Sequence, residues 1–80
     1  MEKYYEAAKK FAQSYHLNPS YHIIDVMASV MMTRDKVQQG GSFVDSIVKN
    51  DLYGAISIAD AECLANIKII VLAKQFAHVR

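Results

Sequence analysis

The chain has 80 residues, of which 52% are apolar, and nine basic side chains nearly balance eight acidic ones. This length predicts one small domain, and the high apolar content with a net charge of +1 excludes intrinsic disorder. The same small charge excludes a basic surface for long nucleic acid, whose affinity comes mostly from phosphate neutralisation. Because so short a domain buries only about two thirds of its unfolded surface, the apolar surplus predicts self-association.

Cysteine usage and apolar runs bear on the compartment. The single cysteine, Cys63, cannot form an internal disulfide, and the first residues lack the apolar core of a signal peptide. No apolar run approaches the roughly 20 residues that span a bilayer. We therefore expect a cytosolic protein with no membrane partner.

Two amphipathic helices are predicted in the first half of the chain. Apolar residues at steps of three and four predict the first over about residues 2–15 and the second from Ser20 to about Val37. Between them, Asn18 is expected to cap the second helix, with Pro19 in its first turn. The apolar stripe of the second helix is wide, which indicates that other elements cover it on more than one side.

Two consecutive glycines, Gly40 and Gly41, predict a break in the helical pattern. The sequence that follows, Ser42-Phe43-Val44-Asp45, has the form of a capping box in which Asp replaces the usual Glu or Gln. It predicts a short helix from Phe43 to about Lys49.

The pair Asn50-Asp51 predicts a joint between two helices. Asn50 tolerates the left-handed conformation that ends a helix, and Asp51 can cap the next one. From Leu52 an apolar stripe continues to about Phe76, which predicts one helix about 38 Å long. Since the expected radius of gyration is only about 12 Å, a helix of this length favours a partner along it and hence a homo-oligomer.

One segment of this last helix is ambiguous. Residues 67–72 are rich in β-branched side chains and are also compatible with a buried strand. Helix is the better interpretation because no second strand candidate exists to pair with it. The predicted fold class is all-α: three or four helices in one domain, with a long C-terminal helix, assembling as a homo-oligomer.

The sequence shows no enzyme signature. The three histidines, His16, His22 and His78, do not share the spacing of a zinc site with Cys63. Cys63 lies on the apolar stripe of a predicted helix, so we interpret it as a structural residue rather than a nucleophile. We predict no catalytic residue, no metal and no cofactor.

The segment Gly40–Phe43 is a candidate anion site. Free backbone N–H groups at a helix start, preceded by glycines, can bind an anion without net basic charge. Ser42 could add a hydroxyl donor, and Phe43 an aromatic face for a base. A tight turn with a good cap is the alternative interpretation. The segment lacks the lysine of a phosphate-loop nucleotidase.

A second candidate feature is a polar line on the predicted last helix. Tyr53, Ser57 and Asp60 fall at i, i+4 and i+7 and would share one face near the glycine loop. A carboxylate in apolar surroundings must be hydrogen-bonded, paired or solvated. Asp60 could accept from a guanine edge or ribose hydroxyls, or pair with Arg34 or Lys36 across a helix interface. The sequence leaves both options open.

Residues 40–65 resemble a widespread set of small phage and prophage proteins. The shared pattern is Gly-Ser-Phe at 41–43, Asn-Asp-Leu at 50–52, and an Ala at 55 followed by Ala-Asp at 59–60. This set resembles in turn the phage anti-CBASS nucleotide sponges. Those compact helical homo-oligomers bind cyclic dinucleotides or related immune signals without cleaving them.

The resemblance implies ligand contacts near residues 41–43, with Asn50, Asp51 and Asp60 either contacting the ligand or fixing the loop. Many relatives carry an arginine just before the Ala-Asp pair, where this chain has Ile58. The missing guanidinium puts phosphate recognition there in doubt or shifts it to Arg34 or Lys36. The predicted ligand-binding residues are Gly40, Gly41, Ser42, Phe43, Asn50, Asp51, Tyr53, Asp60 and Arg34.

The predicted function is therefore sequestration of a cyclic di- or oligonucleotide signal by a phage protein in the host cytoplasm, with Phe43 or Tyr53 stacking a base. The alternative is a protein-interaction module that inhibits a host defence enzyme or CRISPR complex through a Met- and Tyr-rich surface. A structural virion component is a third possibility.

Overall fold

In the computed structural model, which describes residues 2–79, the chain is helical throughout, with no strand among these residues. This confirms the all-α prediction, including for residues 67–72. The described residues form six helices rather than three or four: α1 (Glu2–Ser14), α2 (Tyr21–Arg34), α3 (Ser42–Val48), α4 (Leu52–Ile58), α5 (Ala61–Ala65) and α6 (Ile67–Phe76).

The first two helices lie close to their predicted positions, but the cap between them differs. Ser20, not Asn18, is the N-cap of α2: it adopts an extended conformation, and its hydroxyl accepts from the backbone N–H of Ile23. The prediction that Asn18 caps this helix is therefore wrong. The helix ends at Arg34, three residues early, because Lys36 has a φ of 62° that an α-helix cannot continue.

Helix α2 forms the centre of the domain, with α1, α3 and α6 packed around it. Its wide apolar stripe is buried on several sides, as the sequence indicates. Burying a large apolar side chain stabilises the fold by about 1.5–3 kcal/mol, so this helix anchors the core. The largest fully buried side chains are Ile23, Met27, Val30, Met31 and Ile70.

The single long C-terminal helix is a wrong prediction, since the segment forms α4, α5 and α6. The chain leaves the helical conformation at Ala59 and Asp60, and the Asp60 side chain accepts from the Cys63 N–H as the N-cap of α5. Asp favours such a cap because its carboxylate competes for backbone N–H groups. Asn66 then separates α5 from α6.

The break at Ala59 and Asp60 removes the long helix on which one argument for an oligomer depended. The chain turns back so that α6 packs on α2, and the radius of gyration is 11.2 Å. None of the six helices in residues 2–79 is longer than the domain, so the length argument for self-association is lost, and self-association stays a prediction from composition. Within residues 2–79, no helix has both the length and the apolar character needed to cross a bilayer.

Candidate functional site

The glycine loop is held against the end of α2. The N–H of Gly40 donates to Thr33 Oγ1 at 3.0 Å. A Cβ at Gly40 would lie 2.5 Å from Cγ1 and 2.8 Å from Cβ of Val44, so only glycine lets the loop pass this close to α3. A Cβ at Gly41 would meet nothing within 4 Å, which leaves that residue open to a ligand.

The start of α3 has no side-chain cap. Gly41 occupies the N-cap position in an extended conformation, and Ser42 is the exposed first residue of the helix. The predicted capping box is therefore wrong. The Asp45 carboxylate instead contacts Lys49 Nζ at 2.9 Å and Gln39 Nε2 at 3.3 Å, and the Lys49 hydrogen bond lowers the pKa of Asp45. The first N–H groups of α3 thus meet no capping side chain.

The joint after α3 matches the prediction. Asn50 adopts a φ of 61°, and Asp51 Oδ1 accepts from the Gly54 N–H at 3.0 Å as the N-cap of α4. Asn50 Oδ1 also accepts from Lys74 Nζ at 3.0 Å, which links the joint to α6. These residues lie at the far end of α3 from the glycine loop, about 10 Å along the helix axis.

The two predicted stacking residues differ in exposure. Phe43 is half-buried and packs against the core, whereas Tyr53 is 85% exposed at the start of α4. Ser57, the next member of the predicted polar line, donates its hydroxyl to the Gly54 carbonyl of the same helix. Asp60 lies beyond the end of α4, so the three residues do not share one helix face and that prediction is wrong.

Asp60 pairs with His22 rather than with Arg34 or Lys36. Its Oδ2 lies 3.2 Å from His22 Nε2, and its Oδ1 accepts from the Cys63 N–H at 2.7 Å. The Cys63 hydrogen bonds, chiefly that from its backbone N–H, lower the pKa of Asp60, and His22 contributes to the same shift. Both carboxylate oxygens of Asp60 therefore already have protein partners.

The Arg34 guanidinium caps the C-terminal end of α6 by donating to its last backbone carbonyls. Its guanidinium donates to Asp35 at 2.8 Å, and Asp35 also accepts from the Tyr4 hydroxyl at 2.9 Å. The Arg34 hydrogen bond is the main reason that the pKa of Asp35 is lowered. To reach a phosphate, Arg34 would have to leave these groups and three backbone carbonyls, those of Ala73, Lys74 and Ala77.

The sequence analysis does not predict one cluster of side chains, formed by His22, Asp60 and Cys63. His22 Nε2 lies 3.8 Å from Cys63 Sγ as well as 3.2 Å from Asp60 Oδ2. Cys63 is buried, as its place on the apolar stripe predicts, and burial is the main cause that raises the pKa of its thiol to about 11. No sequence spacing reveals the cluster, because His22 is 38 residues from Asp60 along the chain. The sign in the sequence is Asp60, a residue type that caps helices, because it lies within an otherwise apolar segment and so indicates a new helix start there.

Two surface grooves lie elsewhere on the molecule. The larger, of about 670 Å³, runs between α1 and the end of α6, and the smaller, of about 160 Å³, lies between α1 and the start of α2. Neither groove includes any of the nine predicted ligand residues. The larger groove is lined by Lys3, Glu6, Ala7, Lys10, Phe11, Ser14, Phe76, Ala77, His78 and Val79.

The structure thus distributes the nine predicted residues over four places: the start of α3, its end together with the start of α4, the joint before α5, and the end of α2. The chain matches no protein-family model, no curated protein sequence and no solved structure. The resemblance to the phage proteins therefore stays a prediction that depends on residues 40–65.

Proposed function

We propose that this protein binds a small anionic nucleotide, a cyclic di- or oligonucleotide signal, and sequesters it without cleaving it, as a phage counter-defence protein. One observation carries the proposal: α3 begins at the exposed Ser42, and its N-cap residue, Gly41, provides no side-chain cap. The phage pattern at residues 41–43 coincides with this uncapped helix start.

The proposed contacts follow from the geometry of that turn. The first N–H groups of a helix point away from its body and favour a negatively charged partner. A phosphate oxygen would accept from these groups and from the Ser42 hydroxyl, with no Cβ at Gly41 to keep it away. Phe43, half-buried beside them, would present the edge or face of its ring to a base.

The remaining predicted residues have supporting roles in this proposal. Asn50 and Asp51 fix the joint between α3 and α4, while Asp60 and Arg34 are held by protein groups. Tyr53 could stack on a base only if the ligand extends past α3 or is shared with a second copy of the chain. Backbone N–H groups hold a phosphate without supplying a nucleophile, which suits sequestration rather than turnover.

Isothermal titration against a panel of cyclic di- and trinucleotides tests the proposal. We expect stoichiometric binding by the wild type and at least a tenfold loss in Ser42→Ala and Phe43→Leu, where leucine preserves packing but removes the ring. Lys10→Ala, in the larger groove, is the matched control. No heat with any member of the panel refutes the function, and loss of binding only in Lys10→Ala refutes the site.

A second candidate function is supported by a different observation. Leu52, Tyr53 and Ile56 on α4 are 70%, 85% and 41% exposed, an apolar surface typical of protein docking. This surface favours the interaction module, directed at a host defence enzyme or CRISPR complex, and equally offers a site for a second copy of the chain. A nucleotide released by heating the purified protein supports the sponge, whereas a stoichiometric host protein retained by wild type but not by Leu52→Ser supports the module.

A further inference from the structure

We propose that His22, Asp60 and Cys63 bind a divalent transition-metal ion, with zinc as the expected occupant. The three donor atoms, His22 Nε2, an Asp60 carboxylate oxygen and Cys63 Sγ, lie within 4.8 Å of one another. They come from two places in the fold: His22 from the first turn of α2, and the other two from the start of α5. This site is independent of the nucleotide proposal and does not use the glycine loop.

The separations suit a tetrahedral ion. With metal–nitrogen and metal–oxygen bonds of about 2.0–2.1 Å and a metal–sulfur bond of about 2.3 Å, neighbouring N and O ligands are about 3.3 Å apart and N and S ligands about 3.6 Å. The observed distances are 3.2 Å from His22 Nε2 to Asp60 Oδ2 and 3.8 Å from His22 Nε2 to Cys63 Sγ. The Asp60 oxygen and Cys63 Sγ lie within 4.8 Å of each other, against about 3.6 Å for O and S ligands of one tetrahedral ion, so this pair would have to approach by up to about 1 Å.

Local structure holds the ligands in place. Asp60 Oδ1 accepts from the Cys63 N–H, so the cap of α5 orients the carboxylate and leaves Oδ2 directed at His22. The Ser20 hydroxyl donates to Glu62 Oε2 at 2.6 Å, which ties the start of α2 to α5 beside the cluster. The two segments that carry the ligands are therefore linked by a contact that involves none of the three.

Exposure and donor type favour a zinc-like ion with one open position. The side chains of His22 and Asp60 are 48% and 58% exposed, while Cys63 is buried. An ion would therefore enter from solvent and bind Cys63 Sγ on the ion's buried side. One imidazole, one carboxylate and one thiolate suit zinc, and three protein ligands leave the fourth position to water. The ion would displace the Cys63 thiol proton, which passes to solvent as the metal–sulfur bond forms.

The same geometry argues against a nucleophilic triad. In a triad, histidine contacts the nucleophile through one ring nitrogen and the carboxylate through the other. Here His22 Nε2 faces both Cys63 Sγ and Asp60 Oδ2, so this histidine cannot pass a proton between them through its ring. Three donor atoms within 4.8 Å of one another, two of them facing the same ring nitrogen, instead suit a metal site.

Cobalt titration of the tag-free, metal-depleted protein provides the test, because Co²⁺ substitutes for Zn²⁺ and is coloured. We expect one equivalent of Co²⁺ to give a thiolate-to-cobalt charge-transfer band and the visible bands of a four-coordinate ion, both displaced by Zn²⁺. Absence of the charge-transfer band at saturating Co²⁺ overturns the proposal.

Four variants assign the ligands. Cys63→Ser should abolish the charge-transfer band, while His22→Gln and Asp60→Asn should each weaken binding at least about tenfold. Asn preserves the α5 cap, and His22 is exposed, so both variants should keep the wild-type circular dichroism spectrum. His16→Asn is the matched control: it removes another exposed histidine at a φ of 60°, which Asn tolerates. Wild-type affinity in His22→Gln, or a loss in His16→Asn as large as in His22→Gln, overturns the assignment.

Discussion

Gly40 and Gly41 are neighbours in the chain, but the structure predicts that alanine destabilises the fold at Gly40 and is nearly neutral at Gly41. A methyl group at Gly40 would lie 2.5 Å from Cγ1 and 2.8 Å from Cβ of Val44, and 3.0 Å from Thr33 Oγ1. Val44 cannot rotate away, because a β-branched side chain in a helix has one strongly preferred rotamer and its Cβ is fixed to the backbone. The loop or α3 itself would have to shift.

The magnitude follows from two opposing terms. Forcing an extra methyl group into a packed site costs about 1–3 kcal/mol, while alanine restricts the unfolded chain and returns about 0.4–1 kcal/mol. We therefore expect Gly40→Ala to lower the free energy of unfolding by about 1–2 kcal/mol. Gly41→Ala should change it by less than about 0.5 kcal/mol, since its φ of −74° suits alanine and the weaker N-cap offsets the entropic gain.

Urea denaturation followed by circular dichroism measures the difference. With an m-value near 1 kcal/mol/M for a small domain, the midpoint of Gly40→Ala should fall by about 1–2 M relative to Gly41→Ala. Val44→Ala removes the clashing Cγ1. The loss of unfolding free energy in the double variant of Gly40→Ala and Val44→Ala should therefore be smaller, by about 0.5 kcal/mol or more, than the sum of the losses in the two single variants. Equal midpoints for Gly40→Ala and Gly41→Ala would refute the close approach.

Two further predictions concern the joint after α3 and the contact between α1 and α2. Asn50→Ala should destabilise the fold by about 1 kcal/mol in urea denaturation because alanine disfavours a φ of 61°, whereas Asn50→Gly should remain close to wild type; equal losses would contradict the backbone argument. The Arg34 and Tyr4 hydrogen bonds stabilise the charged form of Asp35 and lower its pKa, so its contribution to stability is complete above the unfolded pKa of about 4 and is lost as the pH falls through the folded value. The wild type should therefore exceed Asp35→Asn in stability at pH 7 and converge toward it below about pH 4, and a constant difference would contradict this.

Several elements could be predicted from the sequence because their signals are local. The periodicity of the first segment defines α1 to within one residue, and Asn50-Asp51 forms the predicted joint with the predicted conformations. Repeating apolar positions and capping side chains act through neighbours three or four residues away, so a single segment contains the information. The glycine loop is placed correctly for the same reason, although the cap is Gly41 and not Ser42.

The tertiary structure decides which segments of the chain contact one another. The apolar stripe continues across Ala59 and Asp60, so periodicity alone predicts one long helix. The capping tendency of Asp60 is the local sign of the break, and the packing of α6 onto α2 is what the sequence pattern does not show. Packing also brings His22 to Asp60 and Cys63, and the guanidinium of Arg34 to the carbonyls at the end of α6. These contacts join residues about 40 positions apart, and their geometry depends on how the helices fill the core, which no local pattern encodes.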